Sequence, residues 1–305
     1  MRNKIVVIGS LNYDIILKSQ RLPELGETMP VDQASFSAGG KGANQAVQAA
    51  KLGVPTYMVG CVGNDAQGDF LLHNAEKYGV DTTFIRKVAE PSGMGVVNAL
   101  EDGSVYASIV RGANYAVTQA DIDAVQELMC EAAIVILQME IPPEINEYAV
   151  TKAKACGCKV LLNAAPAVPS QILGECDIVV VNEVEAAFYL GKEIGDVEQA
   201  RAGAAQLAER YRCDIIMTLG KSGAVVCEKG EISFVPSRKV DAIESTGAGD
   251  SFIGGTSYAL MKGMSLTEAC EFATCCSAIT VCRLGAQDSM PTLEEVRSLT
   301  EAAVE

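Results

Sequence analysis

The most informative part of this chain is residues 242–255, which read Ala242-Ile243-Glu244-Ser245-Thr246-Gly247-Ala248-Gly249-Asp250-Ser251-Phe252-Ile253-Gly254-Gly255. An apolar run that is typical of a strand precedes this stretch, and a run over 252–261 that is compatible with a helix follows it. The small residues at 247–249 let the backbone pass close to a ligand with its N–H groups turned inward. Such donors at the start of a helix suit a phosphate group or an anionic transition state.

Asp250 places a carboxylate beside this anion-binding turn. Because like charges repel, a carboxylate is a poor ligand for phosphate, but it is a good acceptor for the proton of a hydroxyl that attacks phosphate. A simple helix cap is the alternative role, since Asp is common at helix starts. Two other phosphate motifs are excluded, because a dinucleotide fingerprint needs glycine where Phe252 stands and a P-loop ends in Gly-Lys-Ser/Thr rather than Gly-Asp-Ser.

The composition narrows the class of protein. A chain of 305 residues forms one large α/β domain or two modest ones, and it is long enough to bury a sizeable core. The net charge of -15 argues against a surface for nucleic acid or for an anionic membrane. No apolar run reaches the ~18 residues of a membrane span. We therefore expect an enzyme that acts on small molecules and binds neither nucleic acid nor a membrane.

The eleven cysteines predict a reducing, cytoplasmic environment. The apolar run at residues 5–8 is too short for a signal peptide and resembles a buried first strand. The chain has no C-x-x-C pair and a single histidine, so a Cys/His zinc site is not expected. We interpret the thiols as small core residues.

Strand and helix patterns alternate through most of the chain. Strands are predicted over residues 5–9, 57–62, 134–138, 159–162, 178–181 and 215–219. Helices are predicted over residues 43–52, 68–78, 118–131, 143–156 and 197–211. Because the strands are continuous apolar runs, they indicate a mainly parallel sheet with helices on both faces, which is a three-layer α/β sandwich.

Two stretches, residues 12–37 and residues 93–112, do not follow this alternation of strand and helix patterns. They are polar or alternating, unlike the continuous apolar runs elsewhere, and residues 100–105 are typical of a β-hairpin. We predict that they pair into a small separate sheet that lies over a site as a lid. Two independent surface hairpins are the alternative.

Candidate sugar ligands follow the first strand and the second glycine-rich turn. Asn12 and Asp14 come just after the first strand, and ligands gather at the carboxyl ends of strands in such sheets. An amide and a carboxylate there can take several hydroxyl hydrogen bonds, although an Asx turn is the alternative. In residues 39–44, Lys41 offers charge and Asn44 offers hydrogen bonds to hydroxyls.

Candidate nucleotide ligands follow two later strands. Asn182 can bind a phosphate oxygen and Glu185 can hold Mg²⁺ directly or through water, with a plain helix start as the alternative. Residues 218–223 contain Gly-Lys-Ser but are not a P-loop, since Ile215 occupies the position of the first glycine. The turn still suits nucleotide phosphates or an adenosine.

Two stretches, residues 39–46 (GGKGANQA) and residues 245–252 (STGAGDSF), resemble the two signatures of the ribokinase-like (PfkB) carbohydrate kinases. The resemblance covers nearly the whole chain, includes residues 9–14, the pair Asn182-x-x-Glu185 and residues 283–289, and is greatest to the members that phosphorylate ribose. It implies one α/β domain over residues 1–305 with a β-sheet lid that pairs in a homodimer. It also implies transfer of the γ-phosphate of ATP to the 5-hydroxyl of D-ribose, with Mg²⁺ and a monovalent cation, K⁺.

The resemblance implies roles for individual residues. The positions that match sugar contacts are Asn12, Asp14, Gly40, Lys41, Asn44 and Glu140. The positions that match nucleotide contacts are Asn182, Thr218, Gly220 and Gly223. The catalytic positions are Asp250 as the base and Gly247, Ala248 and Gly249 as the anion hole. The metal positions are Glu185 for Mg²⁺ and Glu244, Thr246, Thr280, Arg283, Gly285 and Ser289 for the monovalent cation.

One departure from the family pattern concerns the cation site. The second signature usually opens with Asp, which helps to bind the activating cation, whereas this chain has Glu244. The longer side chain either still ligates the ion, with residues 280–289 displaced, or overshoots and pairs with a cation such as Arg283. We expect activation to be retained but altered.

Three alternatives stay open. A sibling kinase would act on deoxyribose, fructose or a nucleoside such as adenosine. A non-catalytic sugar or nucleotide sensor would keep the fold, but the complete set of Asp250, Glu185 and the anion loop argues against it. A dinucleotide oxidoreductase would need a glycine fingerprint after the first strand, which is missing.

Overall fold

The computed structural model describes residues 2–31, 33–100 and 105–301. The strands are β1 (Lys4–Ile8), β2 (Asn12–Ser19), β3 (Gln33–Gly39), β4 (Thr56–Gly63), β5 (Val80–Val88), β6 (Gly93–Leu100), β7 (Val105–Val110), β8 (Ala132–Gln138), β9 (Lys159–Asn163), β10 (Ile178–Asn182), β11 (Asp214–Thr218), β12 (Gly223–Glu228) and β13 (Glu231–Pro236). The helices are α1 (Lys41–Lys51), α2 (Ala66–Lys77), α3 (Gln119–Asp123), α4 (Gln126–Glu131), α5 (Pro143–Ala155), α6 (Glu183–Leu190), α7 (Val197–Tyr211), α8 (Ala248–Met261), α9 (Leu266–Thr280) and α10 (Leu293–Glu301).

Nine strands form the central sheet, in the order β13-β12-β11-β10-β9-β8-β1-β4-β5. Every neighbouring pair from β11 to β5 is parallel, and β12 and β13 add to one edge as antiparallel strands. The predicted mainly parallel sheet is therefore confirmed.

The central strands bury both of their faces, which is why they read as continuous apolar runs. On β1, Val6 and Ile8 belong to one hydrophobic core, whereas Ile5 and Val7 belong to the other. The first core includes residues of α5 and α7, and the second includes residues of α1, α8 and α9. Two cores on the two faces of one sheet give the predicted three-layer α/β sandwich.

A second sheet of four strands has the order β3-β2-β6-β7 and comes from the two stretches that break the alternating pattern. Its strands are only partly buried, and Phe36 and Ile109 are 58% and 52% exposed. Tyr13 of β2 packs edge-on against Phe70 of α2, with ring centroids 5.4 Å apart. A separate small sheet is thus present, and the strands of the predicted hairpin pair as β6 and β7, although its turn lies outside the described residues.

One predicted helix is divided in two. Thr118 forms the predicted capping box with Asp121, but the helix ends at Asp123 and a second one begins at Gln126. Val125, which is fully buried, turns out of the helical path to fill the core between them. In the part of the chain that is described, no helix has the length and apolar character needed to cross a membrane.

Candidate active site

Polar side chains meet where the parallel strands end. Asn163, Asn182 and Thr218 are the last residues of β9, β10 and β11, and Glu140 follows β8 closely. A cavity of about 170 Å³ lies beside them, lined by Lys41, Asn163, Ala165, Val180, Val181, Asn182, Glu185, Thr218, Gly247, Gly249, Asp250 and Ile253. The fold therefore brings candidates from both glycine-rich turns and from two later strands to one place.

Asp250 is held by two side-chain amides of α1. The Nδ2 group of Asn44 donates to Oδ2 of Asp250 at 2.8 Å, and the Nε2 group of Gln45 donates to Oδ1 at 2.9 Å. The alternative of a helix cap is wrong, because Gly247 is the N-cap of α8 and no side-chain cap hydrogen bond is present there. The carboxylate instead faces the cavity in a fixed orientation.

The start of α8 offers backbone donors beside this carboxylate. Gly247 adopts the left-handed conformation, with φ of 77°, which glycine adopts without strain. The first N–H groups of an α-helix lack an acceptor within the helix, so they are free for an anion. Of the three predicted donors, Ala248 differs from the other two, because its N–H already donates to Ser245 O at 3.2 Å.

The surroundings of Gly249 suggest a reason for the small residues at the start of α8. A methyl group at Gly249 would meet no atom within 4 Å, although its position lines the cavity. Protein packing therefore does not require glycine at this position. Close approach of a ligand does give a physical reason for it.

Asn12 is oriented by Asn114, a residue that the sequence did not single out. Nδ2 of Asn114 donates to Oδ1 of Asn12 at 2.8 Å, while Oδ1 of Asn114 accepts from the backbone of Leu11 at 2.9 Å. Both amides are buried. With its oxygen engaged, Asn12 keeps its amide N–H groups for a ligand hydroxyl.

Asp14 occupies a slot between two glycines. A methyl group at Gly39 or at Gly95 would overlap the Asp14 carboxylate, so glycine on both neighbouring strands makes room for it. Burial, followed by the charges of Glu140 and Asp250, raises the pKa of Asp14 to about 6. Ionising this carboxylate in the free protein therefore costs free energy, and hydrogen bonds from the hydroxyl groups of a ligand would offset that cost.

Lys41 lies among several carboxylates and offsets part of their negative charge. Burial opposes its charge, but the carboxylates of Asp250, Glu140 and Glu185 outweigh that effect and raise the pKa of Lys41. Glu140 itself accepts hydrogen bonds from the backbone N–H of Lys41 at 3.3 Å and from the hydroxyl of Ser10. The first turn of α1 is therefore tied to the loop after β8.

Asn182 and Glu185 form a capping box at the start of α6. The N–H of Glu185 donates to Oδ1 of Asn182 at 2.9 Å, and the N–H of Asn182 donates to Oε2 of Glu185 at 2.8 Å. The alternative of a helix start is thus correct, yet both residues also line the cavity. Burial raises the pKa of Glu185, while the Asn182 N–H and Lys41 oppose this rise.

The end of β11 contributes Thr218 to the cavity, and the two glycines that follow have different surroundings. Gly220 has φ of 49°, and a methyl group there would meet no atom within 4 Å, so its place is open. A methyl group at Gly223 would overlap the backbone of Val235, so glycine there serves the contact between β12 and β13. The sequence could not separate these two roles.

The position of Glu244 excludes one of the two outcomes considered for it, the pairing with Arg283. Its Oε2 accepts a hydrogen bond from the backbone N–H of Gly285 at 3.0 Å. The guanidinium of Arg283 pairs instead with Glu295, with Nη2 and Oε1 2.6 Å apart. The pairing of Glu244 with Arg283 is therefore wrong for this structure.

The rest of the predicted cation-site residues lie around the same loop. Ser289 donates to the carbonyl of Ala286 at 2.7 Å, and Ala286 lies against Gly247, next to Thr246. Thr280 donates to the hydroxyl of Ser251 at 2.9 Å. Residues 280–289 thus pack on the stretch that contains Glu244 and the start of α8.

Comparison with known proteins gives one family. The model of the pfkB family carbohydrate kinases matches residues 2–293. The chain is 38% identical to a ribokinase of Schizosaccharomyces pombe over 96% of this chain and 96% of that protein. It is 34% identical to a deoxyribokinase of Salmonella typhi, over 95% and 96% respectively. The structure of Arabidopsis thaliana ribokinase complexed with ribose and ATP superposes with a TM-score of 0.91 at 34% identity, covering 98% of this chain and 99% of that one.

Proposed function

The chain belongs to the pfkB family of carbohydrate kinases, and we propose that it transfers the γ-phosphate of ATP to the 5-hydroxyl of D-ribose. The observation that carries the proposal is Asp250, which faces the cavity between two amide donors and beside the free N–H groups of α8. Similarity to ribokinases over nearly the full length supports ribose as the substrate.

We place the sugar at the end of β1 and the start of α1. Asn12, with its oxygen engaged by Asn114, donates to a hydroxyl, and the Asp14 carboxylate accepts from hydroxyl groups. Glu140, Lys41 and Gly40 complete this side of the site. Such a set of donors and acceptors orients the ring so that its terminal hydroxyl points at Asp250.

The proposed reaction has one proton transfer and one phosphoryl transfer. The oxygen of the 5-hydroxyl forms a bond to the γ-phosphorus as the bond to the β-phosphate oxygen breaks, and the hydroxyl proton passes to a carboxylate oxygen of Asp250. Because the transition state is loose, positioning and charge stabilisation dominate over the strength of the base. The N–H groups of Gly247 and Gly249 stabilise the negative charge on the phosphoryl oxygens, with Ala248 contributing once its own bond to Ser245 opens.

The nucleotide phosphates are proposed to lie between α8 and α6. Asn182, Thr218, Gly220 and Gly223 are the proposed contacts, and the first two line the cavity. Mg²⁺ supplies charge neutralisation of the phosphates when it is bound. In the described part of the chain no cluster of three acidic, histidine or cysteine side chains can hold a metal ion. Glu185 alone fits an ion held mainly by nucleotide oxygens and water.

A monovalent cation, K⁺, is proposed to bind between residues 244–246 and 280–289. Glu244 keeps a carboxylate beside Gly285, and the loop brings the Ala286 carbonyl close to Gly247. Carbonyl and carboxylate oxygens are the donors that such an ion needs. Thr246, Thr280 and Ser289 complete the proposed set, whereas Arg283 contributes at most its backbone.

The small sheet is proposed to act as a lid and to pair with the lid of a second copy. Its strands carry the sugar ligands Asn12 and Asp14, so closure over a sugar would exclude water, which competes as the phosphoryl acceptor. The exposed apolar side chains of Phe36, Tyr106 and Ile109 suit burial in a homodimer. The free cysteines of the described residues suit a reducing, cytoplasmic environment.

A coupled ADP-release assay over a panel of sugars tests the proposal. We expect the highest specificity constant for D-ribose, with 2-deoxyribose as the strongest competitor because of the similarity to a deoxyribokinase. A higher specificity constant for fructose or adenosine would contradict ribose as the substrate and leave only the assignment to the pfkB family. Sugar binding without ADP release from any sugar would favour the sensor alternative.

A further inference from the structure

Two chains of amide side chains, all buried except the half-buried Asn74, converge on the two oxygens of Asp250. We propose that Gln45 and Gln287 are positioning residues of this site, which fix the direction of these chains so that both carboxylate oxygens receive N–H donors. The inference rests on the proposed function, because it assigns Asp250 a proton-accepting role. Neither glutamine has a place in the set of ligands described above.

The first chain begins on α2 and crosses three segments. Nδ2 of Asn74 donates to Oε1 of Gln287 at 2.5 Å, and Nε2 of Gln287 donates to Oδ1 of Asn44 at 2.9 Å. Asn44 then donates to Oδ2 of Asp250 at 2.8 Å. The loop after α9 is thereby linked to the carboxylate on α8 through α1.

The second chain begins at the end of β8. Nε2 of Gln138 donates to Oε1 of Gln45 at 2.7 Å, and Nε2 of Gln45 donates to Oδ1 of Asp250 at 2.9 Å. Nε2 of Gln45 also lies 3.2 Å from Oδ1 of Asn163. Both N–H groups and the oxygen of the Gln45 amide therefore have partners.

The direction of both chains follows from the charge of Asp250. An ionised carboxylate only accepts hydrogen bonds, so the atoms of Asn44 and Gln45 that face it must be nitrogens. Their oxygens then point away from Asp250 and need donors, which Gln287 and Gln138 supply. Reversing any one amide would place two acceptors or two donors against each other.

This arrangement has a consequence for the sugar ligand Asn44. Its Nδ2 group has two hydrogens, of which one points at Asp250. Because Gln287 occupies its oxygen, the second hydrogen remains for a sugar hydroxyl, and the amide cannot turn to accept from the sugar. Gln287 thus aligns the base and the sugar ligand with one hydrogen bond.

Burial separates these glutamines from ordinary polar core residues. Gln45 and Gln138 are 0% exposed and Gln287 is 4% exposed, so each amide is withdrawn from water. Such burial costs free energy where a polar atom lacks a partner, as Oε1 of Gln138 does among the described residues, and an apolar side chain would avoid that cost. A role in holding Asp250 gives a physical reason for amides at these positions.

The experiment compares Gln45→Met with Gln48→Met. Gln48 is the matched control because it lies one turn along α1 and is also 0% exposed, and because its side chain, among the described residues, bonds only to Ser251 and the Pro291 carbonyl. Steady-state ADP release would be recorded over a range of sugar concentrations for wild type, both variants and Gln287→Met, so that kcat and the KM for the sugar are measured separately. Thermal unfolding would show whether each variant folds.

For Gln45→Met we expect kcat to fall about tenfold or more and the KM for the sugar to stay within about threefold. Gln287→Met should lower kcat less, since Asn44 still meets the carboxylate, and should raise the sugar KM. Gln48→Met should lose stability, with kcat and KM within about threefold of wild type. A kcat of Gln45→Met within about threefold of wild type, or an equal loss of kcat in Gln48→Met, would overturn the inference. Absence of ADP release from wild type with any sugar would instead overturn the proposed function.

Discussion

The two glycine-rich helix starts, at α1 and at α8, look alike in the sequence and differ in the structure. Both helices have a glycine N-cap in the left-handed half of the backbone map, Gly40 with φ of 88° and Gly247 with φ of 77°, and neither has a side-chain cap. Inside the first helix, a methyl group at Gly42 would lie 2.6 Å from the backbone nitrogen of Ser10. Inside the second, a methyl group at Gly249 would meet no atom within 4 Å.

The same sequence signal therefore has two different physical surroundings. At α1 the glycines allow the helix to sit directly on the end of β1, which fixes Lys41 and Asn44 beside the proposed sugar site. At α8 the small residues leave the backbone open, next to the proposed base Asp250. The glycines of the first turn serve packing, and those of the second are proposed to serve catalysis.

The largest expected effect is that of Asp250→Asn at the α8 start. The variant keeps the shape of the side chain but cannot accept the proton, so we expect kcat to fall by about 10²–10⁴. Calorimetry should show sugar and ATP binding within a fewfold of wild type, because both helix starts keep their backbone. Turnover near that of wild type would remove Asp250 from the mechanism.

A pair of alanine substitutions tests the contrast between the turns directly. Gly42→Ala should destabilise the fold by several kcal/mol, since the methyl group meets backbone atoms of Ser10 and Gly9 that cannot move aside cheaply. Gly249→Ala should leave the unfolding free energy within about 1 kcal/mol but weaken turnover. Urea unfolding would measure the stability of both variants, and ADP release would measure their turnover. A large loss of stability in Gly249→Ala with little loss in Gly42→Ala would contradict the packing role of the α1 turn and the ligand role of the α8 turn.

Asp14→Asn should change stability and binding in opposite directions. With the pKa of Asp14 raised from 3.8 to about 6, the folded state binds this proton more tightly than the unfolded state. Stability is therefore lost as the pH rises from about 4 to about 6, by up to about 3 kcal/mol at 1.36 kcal/mol per unit. Asn at this position should recover much of that loss at pH 8, in urea unfolding without sugar, and none of it at pH 3.

The same substitution should weaken sugar binding by one to two decades, because a hydrogen bond to a charged group contributes about 1.5–3 kcal/mol. In the wild type, sugar affinity should fall as the pH drops through about 6, where the free carboxyl takes up its proton. Calorimetric titration at pH 5 and pH 8 measures both effects. An affinity that does not depend on pH would argue against Asp14 as an anionic sugar ligand.

The smallest expected effect concerns the ion beside the α8 start. We expect turnover to rise a fewfold when Na⁺ is replaced by K⁺ at constant ionic strength, and Glu244→Asp to change the K⁺ concentration for half activation. The reason is the contact of Glu244 with the Gly285 N–H, which keeps a carboxylate at the loop. Equal rates in both salts for both proteins would show that the chain works without the ion.

Much of the architecture follows from the sequence, because strands buried on both faces are continuous apolar runs. The structure confirms the strands around β1 and β8–β11 and the helices α1, α2, α5 and α7. The sequence analysis missed α9 and α10. It also predicted one helix where the structure has α3 and α4, with the fully buried Val125 between them, and such burial depends on tertiary contacts. Local periodicity cannot reveal such an effect.

The sequence predicts the place of a candidate site residue where its neighbours along the chain decide that place, and not where long-range contacts decide it. The place of Asp250 beside a helix start follows from its neighbours in sequence. Asn114 and Gln287 are far from their partners along the chain, 102 and 243 residues respectively, so no spacing rule could connect them. The choice of Glu244 between Gly285 and Arg283 likewise needed the folded loop.

The most direct measurement of the central claim is the ³¹P NMR spectrum of the product formed from D-ribose and ATP. If α1 orients the sugar and Asp250 takes the proton of the 5-hydroxyl, the phosphorus of the new monoester couples to the two protons of the C5 methylene group. We predict this signal, growing in step with ADP and missing in Asp250→Asn over the same time. A phosphorus coupled to the single anomeric proton, or release of inorganic phosphate without a sugar ester, would contradict the account.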